Sequence, residues 1–175
     1  MLLGRRGLVA LGMGFVMLGC GSGDDGSRSS AGEYCSHLCT AAIRCRANDT
    51  VAACTSRCES SGAKLNDLSQ GAARELGNCV ERLSCSALFD TEGWEATWQS
   101  CWNQSKLALH PTREVEDFCA RYTETLFECS EWLSVSDCEQ SFSMWHPRVV
   151  AKVDTCAGSS SCSELDPCVE AVFSP

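Results

Sequence analysis

Apolar residues recur at helical spacing along most of the chain and seldom alternate with polar ones. Tyr34, Leu38, Ala42 and Cys45 follow one helical stripe, and Thr50 is placed to cap a second helix carrying Cys54 and Cys58. A third pattern runs from Asn66 to Leu83, weakened by Gly71 and Gly77, and a fourth from Thr91 to Leu107, after which Pro111 breaks the chain. Further helices are expected near residues 113–130, 135–145, 148–156 and 165–173. With few prolines and abundant Ala, Glu, Leu and Arg, the pattern predicts an all-α fold.

The helical segments repeat. Glu33-Tyr34-Cys35 matches Asp117-Phe118-Cys119 at an offset of 84 residues, Cys45 matches Cys129, and Cys54 matches Cys138. Thr50 and Ser134 correspond as helix caps. The offset then falls to 77, where Cys79 matches Cys156 and Cys85-Ser86-Ala87-Leu88 matches Cys162-Ser163-Glu164-Leu165. One deletion of seven residues aligns the halves. The expected organisation is a cysteine-rich helical unit over residues 33–110 and a second over 111–175, both built on helical hairpins.

The N-terminus has a different pattern. Arg5 and Arg6 precede an apolar run, Leu8 to Leu18, too short for a stable bilayer span, which ends in Met17-Leu18-Gly19-Cys20. This has signal-peptide grammar over residues 1–19, and its end resembles the lipobox read by the lipoprotein signal peptidase, with Met17 where Leu is usual. The resemblance implies cleavage before Cys20, a diacylglyceryl thioether on its sulfur and an acylated amine. Arg5-Arg6 also looks like a weak twin-arginine signal, but a disulfide-rich protein is better exported unfolded, by the general secretory route. Residues 20–32 then read as the lipidated cysteine and a flexible polar tether, without core-forming residues.

Fifteen cysteines in 175 residues exceed ordinary usage, and an exported chain directs them to disulfides. With Cys20 lipidated, fourteen remain, all after Glu33 and enough for seven bonds. Cys35-x3-Cys39 and Cys54-x3-Cys58 each place two sulfurs on one helical face and predict a stapled hairpin. In the second unit Thr123 and Phe142 replace the equivalents of Cys39 and Cys58 together. Joint absence argues for a Cys39–Cys58 bond, and an antiparallel hairpin centred on its polar turn then adds Cys45–Cys54. The arrangement also resembles twin Cys-x3-Cys hairpin proteins, which implies the other scheme, Cys35 with Cys58 and Cys39 with Cys54. The first scheme is preferred. Partners of Cys79, Cys85, Cys101, Cys119, Cys129, Cys138, Cys156, Cys162 and Cys168 are left open, as is that of Cys35 in the preferred scheme.

Composition and spacing exclude several functions. Losing the two arginines of residues 1–19 takes the net charge from −9 to −11, which disfavours nucleic acid as a partner. No Cys-x-x-Cys pair exists for redox chemistry, haem attachment or a zinc site. His37 lies between Cys35 and Cys39 at a spacing a soft metal could use, but oxidised sulfurs make it a polar helix residue, so neither metal nor cofactor is expected. His110 and His146 have no nucleophile motif nearby, and no catalytic residues are assigned. The sequons Asn48-Asp49-Thr50 and Asn103-Gln104-Ser105 are read as chance. Trp94, Trp98 and Trp102 share one helical stripe, in a part of the first unit without counterpart in the second. The first reading is a core stripe packed on disulfides. The alternative is an interaction surface, the segment chosen if any binds a partner.

Lipobox, short polar tether and helical Cys-x3-Cys units together resemble the cysteine-rich lipoproteins of Gram-negative bacteria. The resemblance covers the chain and implies a location rather than an activity: the cell envelope, held to the bilayer through acyl chains on Cys20. Gly21 in place of Asp after that cysteine permits transfer to the outer membrane by the sorting rule of some such bacteria. The expected function is non-enzymatic, a structural or interaction module for a protein or cell-wall partner. The alternatives are a small-ligand or metal-binding envelope lipoprotein and an enzyme of unrecognised type.

Overall fold

A computed structural model describes residues 28–45, 49–159 and 161–174. The expected signal segment, Cys20, most of the tether and Asn48 lie outside the described residues. Within them the fold is all-α, with no named strand: α1 (Ser30–Cys45), α2 (Val51–Ser61), a 3-10 turn (Ala63–Asp67), α3 (Gln70–Glu81), the single turn α4 (Cys85–Leu88), α5 (Trp94–Ala108), α6 (Arg113–Glu128), α7 (Val135–Phe142), α8 (Pro147–Ser159) and α9 (Cys162–Phe173).

Small polar residues set the helix starts. Thr50, Ser69, Ser84, Thr112 and Ser134 each accept a backbone N–H from three residues ahead, and the Glu164 carboxylate closes onto Ser161 at the head of α9. The same bonds to Ser161 hold the Glu164 carboxyl below its usual range. α1 starts within the segment expected to be tether. The Ser29 hydroxyl accepts from Gly32 N–H, and Ser30, Ala31 and Gly32 are buried in its first turn. The third helix starts later than its sequence pattern because residues 63–67 take a 3-10 turn. Gly77 inside α3 admits a close approach of α1, since a Cβ there would lie 2.6 Å from the His37 ring.

Seven disulfides use every cysteine of the described residues: Cys35–Cys58, Cys39–Cys54, Cys45–Cys85, Cys79–Cys101, Cys119–Cys138, Cys129–Cys162 and Cys156–Cys168. The preferred pairing of Cys39 with Cys58 and Cys45 with Cys54 is therefore corrected. Cys45 lies six residues after Cys39, which turns it about 120° away around the helix. It cannot share the face that α1 presents to α2, and it reaches Cys85 at the start of α4 instead. The hairpin pairs outer with outer and inner with inner. In the second unit Thr123 and Phe142 each remove one partner from a different bond, and the two leftover positions, Cys119 and Cys138, join each other. Phe142 fills the vacated place with an aromatic cluster, its ring centroid 4.7 Å from Phe118 and 5.8 Å from Tyr122.

The remaining bonds follow the repeat. Cys45–Cys85 corresponds to Cys129–Cys162, and Cys79–Cys101 occupies the place of Cys156–Cys168. α9 alone carries the two cysteines that α4 and α5 divide between them in the first half. Two apolar clusters form, one around Tyr34, Leu68, Leu76, Val80 and Leu88, the other around Phe118, Tyr122, Leu126, Val153 and Leu165.

The halves meet through equivalent segments. Leu68 and Trp145, matched at the 77-residue offset, form an isolated antiparallel bridge with each other. Ser69 N–H donates to Met144 O at 2.9 Å, and His146 N–H donates to Asp67 O at 2.7 Å. Each of these bonds is the repeat-related copy of the other, so the junction has a local twofold axis. Met144, fully buried, belongs to the first cluster although it follows α7. Arg148 adds a bond to Asn66 O and an ion pair with Asp67 at 3.0 Å, and Lys64 Nζ reaches Phe173 O at 3.1 Å.

Candidate functional site

The tryptophan stripe of α5 lies on the first cluster, with Trp94, Trp98 and Trp102 partly buried. Trp98 meets Tyr34 edge-on at 5.8 Å and lies between Trp94 at 6.4 Å and Trp102 at 6.3 Å. The row continues across the junction, from Trp102 to Trp145 at 5.7 Å and on to Phe173 at 4.9 Å. The stripe thus joins α1 to α9, a packing role, with part of each indole face left at the surface. The disulfide Cys79–Cys101 fixes α5 against α3 beneath it.

Concave features are modest. A hollow of about 350 Å³ lies beside the Cys79–Cys101 bond, floored by Leu83, Ala87 and Ala96. A second of about 220 Å³ is lined by Glu75, Arg82, Gln104 and Ser105, and the Ser105 hydroxyl is buried without a hydrogen-bond partner. His37 is held between carboxylates, its Nδ1 2.5 Å from Glu81 and its Nε2 3.8 Å from Glu33, and so ties α1 to α3. Among the described residues no group of three His, Cys, Asp or Glu side chains is disposed to hold a metal ion. No helix among them is long and apolar enough to cross a membrane.

Burial pushes the Tyr34 phenol well above its ordinary value. It also pushes Tyr122 up to about 12, with Asp166 and Glu131 adding to the effect. Burial and the neighbouring Arg148 charge lower His146 at the junction, while Asp67 opposes them. The Arg148 backbone N–H donates to His146 Nδ1 at 3.2 Å, which suits the neutral ring. Arg57 and the Thr50 N–H hold the Asp49 carboxyl below its usual range.

A feature the sequence reading did not single out is the α6–α7 tip. Of the six exposed large apolar side chains among the described residues, Phe127, Trp132 and Val135 fall within nine positions. Trp132 is 75% exposed and Phe127 72%. The loop between them is fixed rather than loose. Glu131 N–H donates to Leu126 O at 2.8 Å and Ser130 N–H to Phe127 O at 3.0 Å, a Schellman close to α6. Ser130 sits in the left-handed region at φ 63°, where glycine is usual. Cys129 is bonded to Cys162, Leu133 packs on the second cluster, and Ser134 caps α7. The helical stripe of α6, Val115, Phe118, Tyr122 and Leu126, already excludes Phe127, so the sequence did carry a signal.

No family profile, curated protein or solved structure matches this chain.

Proposed function

We propose that the chain is a lipid-anchored protein of the bacterial cell envelope, held through Cys20, that displays a rigid disulfide-stapled helical body to a protein or cell-wall partner without catalysing a reaction. The observation that supports the anchor most is the cysteine account. Fourteen of the fifteen cysteines pair among themselves, so Cys20, preceded by Met17-Leu18-Gly19, is required by none of the seven disulfides. An acyl-modified cysteine resolves the odd count and matches its sequence context. A body so densely cross-linked suits an oxidising compartment, where each bond stabilises by about 2–4 kcal/mol. Three acyl chains would hold such a body at a bilayer far more firmly than one.

Replacing Cys20 with Ser tests this reading. The expected result is release from the membrane fraction or accumulation of an unprocessed precursor, with the acyl-modified N-terminal peptide lost from the mass spectrum. Unchanged processing and fractionation would remove the anchor from the proposal.

A further inference from the structure

We infer that the α6–α7 tip is a docking knob for a cationic amphipathic protein surface, an apolar groove rimmed by Lys or Arg; this deepens, and rests on, the proposed role as an interaction module. Three observations carry it. The apolar side chains are large and exposed: Trp132, Phe127 and, at 43%, Val135. Tryptophan at the centre of a contact contributes most when it is presented in one fixed place, because little ordering cost remains on binding. Here the Schellman close, the Cys129–Cys162 bond, the buried side of Leu133 and the Ser134 cap fix both ends of the loop. Ser130 keeps a left-handed backbone at its base, a strained conformation that the surrounding structure holds in place.

Charge selects the partner. Between Arg121 and Arg148 the chain has no Lys or Arg, and it carries Glu124, Glu128, Glu131, Asp137 and Glu139. The first four of these carboxylates are exposed around the knob. A second copy of this chain would bring like charges together at the same contact. An anionic bilayer surface would be repelled for the same reason. A groove with a basic rim is attracted by the collar and buries the indole at its centre.

The probe is a short amphipathic peptide of leucine and lysine, with oligolysine of equal length as control. Binding to the oxidised protein is followed by calorimetry at low and moderate salt. Trp132→Ser should weaken binding of the amphipathic peptide by roughly tenfold or more. Phe127→Ser should weaken it further, and Glu128→Gln with Glu131→Gln should flatten its salt dependence. Oligolysine should not distinguish the native protein from Trp132→Ser. Both apolar side chains are exposed, so the melting temperature should stay close to that of the native protein.

Equal affinity of the native protein and Trp132→Ser for the amphipathic peptide would overturn the inference. So would Trp132-dependent binding to phosphatidylcholine or phosphatidylglycerol vesicles, or Trp132-dependent self-association in sedimentation. Peptide binding does not involve Cys20, so these results and those of the anchor test can fail separately.

Discussion

Met144→Ala tests whether the two halves stabilise one another. Met144 is contributed by the segment joining α7 to α8, yet its side chain is completely buried in the cluster formed by α1, α3 and α5. Truncation removes Cγ, Sδ and Cε. At about 0.8 kcal/mol per methylene-sized group the lost transfer energy is about 2.4 kcal/mol. The cavity left behind raises the expected loss to about 3–4 kcal/mol, within the range for buried Met→Ala changes. The backbone bond from Ser69 N–H to Met144 O is retained, so the effect is one of packing. All seven disulfides stay closed in both proteins, and their effect on the unfolded chain cancels in the comparison. The assay is guanidinium unfolding of oxidised protein followed by tryptophan fluorescence, since Trp102 and Trp145 lie at the junction 5.7 Å apart. A lower midpoint with an unchanged slope is expected. A loss below about 1 kcal/mol would refute the claim that this side chain fills the first core.

Two further changes probe local conformation and charge. Ser130→Gly relieves the left-handed backbone at φ 63° and, after glycine's own entropic cost, should stabilise by about 0.5–1 kcal/mol. Differential scanning calorimetry should show this as a rise of roughly 1–4 °C, and an unchanged or lower melting temperature would count against a left-handed Ser130. His146 binds its proton less readily in the folded protein than at its ordinary value of 6.5, so in acid the unfolded chain takes up the proton first. The associated stability is present above pH 6.5 and falls as the pH drops from there towards the folded value. His146→Gln should therefore lose less melting temperature than the native protein between about pH 7 and pH 5, and identical losses would contradict the assignment.

Local features of this fold were the most legible in the sequence. Thr50 and Ser134 announce α2 and α7 because a cap is a short-range bond between a side chain and a backbone three residues away. The repeat located corresponding cysteines across the two halves. Pairing inside the hairpin is not legible from positions along the chain alone, because it depends on angle around the helix, on which Cys39 and Cys45 diverge. Joint absence of two cysteines also has a second explanation, the re-pairing seen in Cys119–Cys138. The Leu68–Trp145 junction left no trace in the periodicity, since residues 77 apart in sequence are brought together only by the assembled halves. Ser30–Gly32 read as tether because small residues that fit a tight first turn share their composition with linkers. Of the candidate surfaces, the α5 tryptophans form a visible stripe, whereas Trp132 lies in the loop between α6 and α7, where no helical periodicity marks it as exposed.

The twofold contact around Leu68 and Trp145 is a self-complementary surface whose two sides are carried by one polypeptide. In an assembly of identical chains every substitution appears twice at such a contact and must suit both sides. Covalent fusion of the sides removes that constraint. One side carries Met144 and Trp145, a thioether and an indole, where the other carries Asp67 and Leu68. The same covalent link makes the contact independent of protein concentration, whereas an equivalent assembly of separate units would fall apart on dilution.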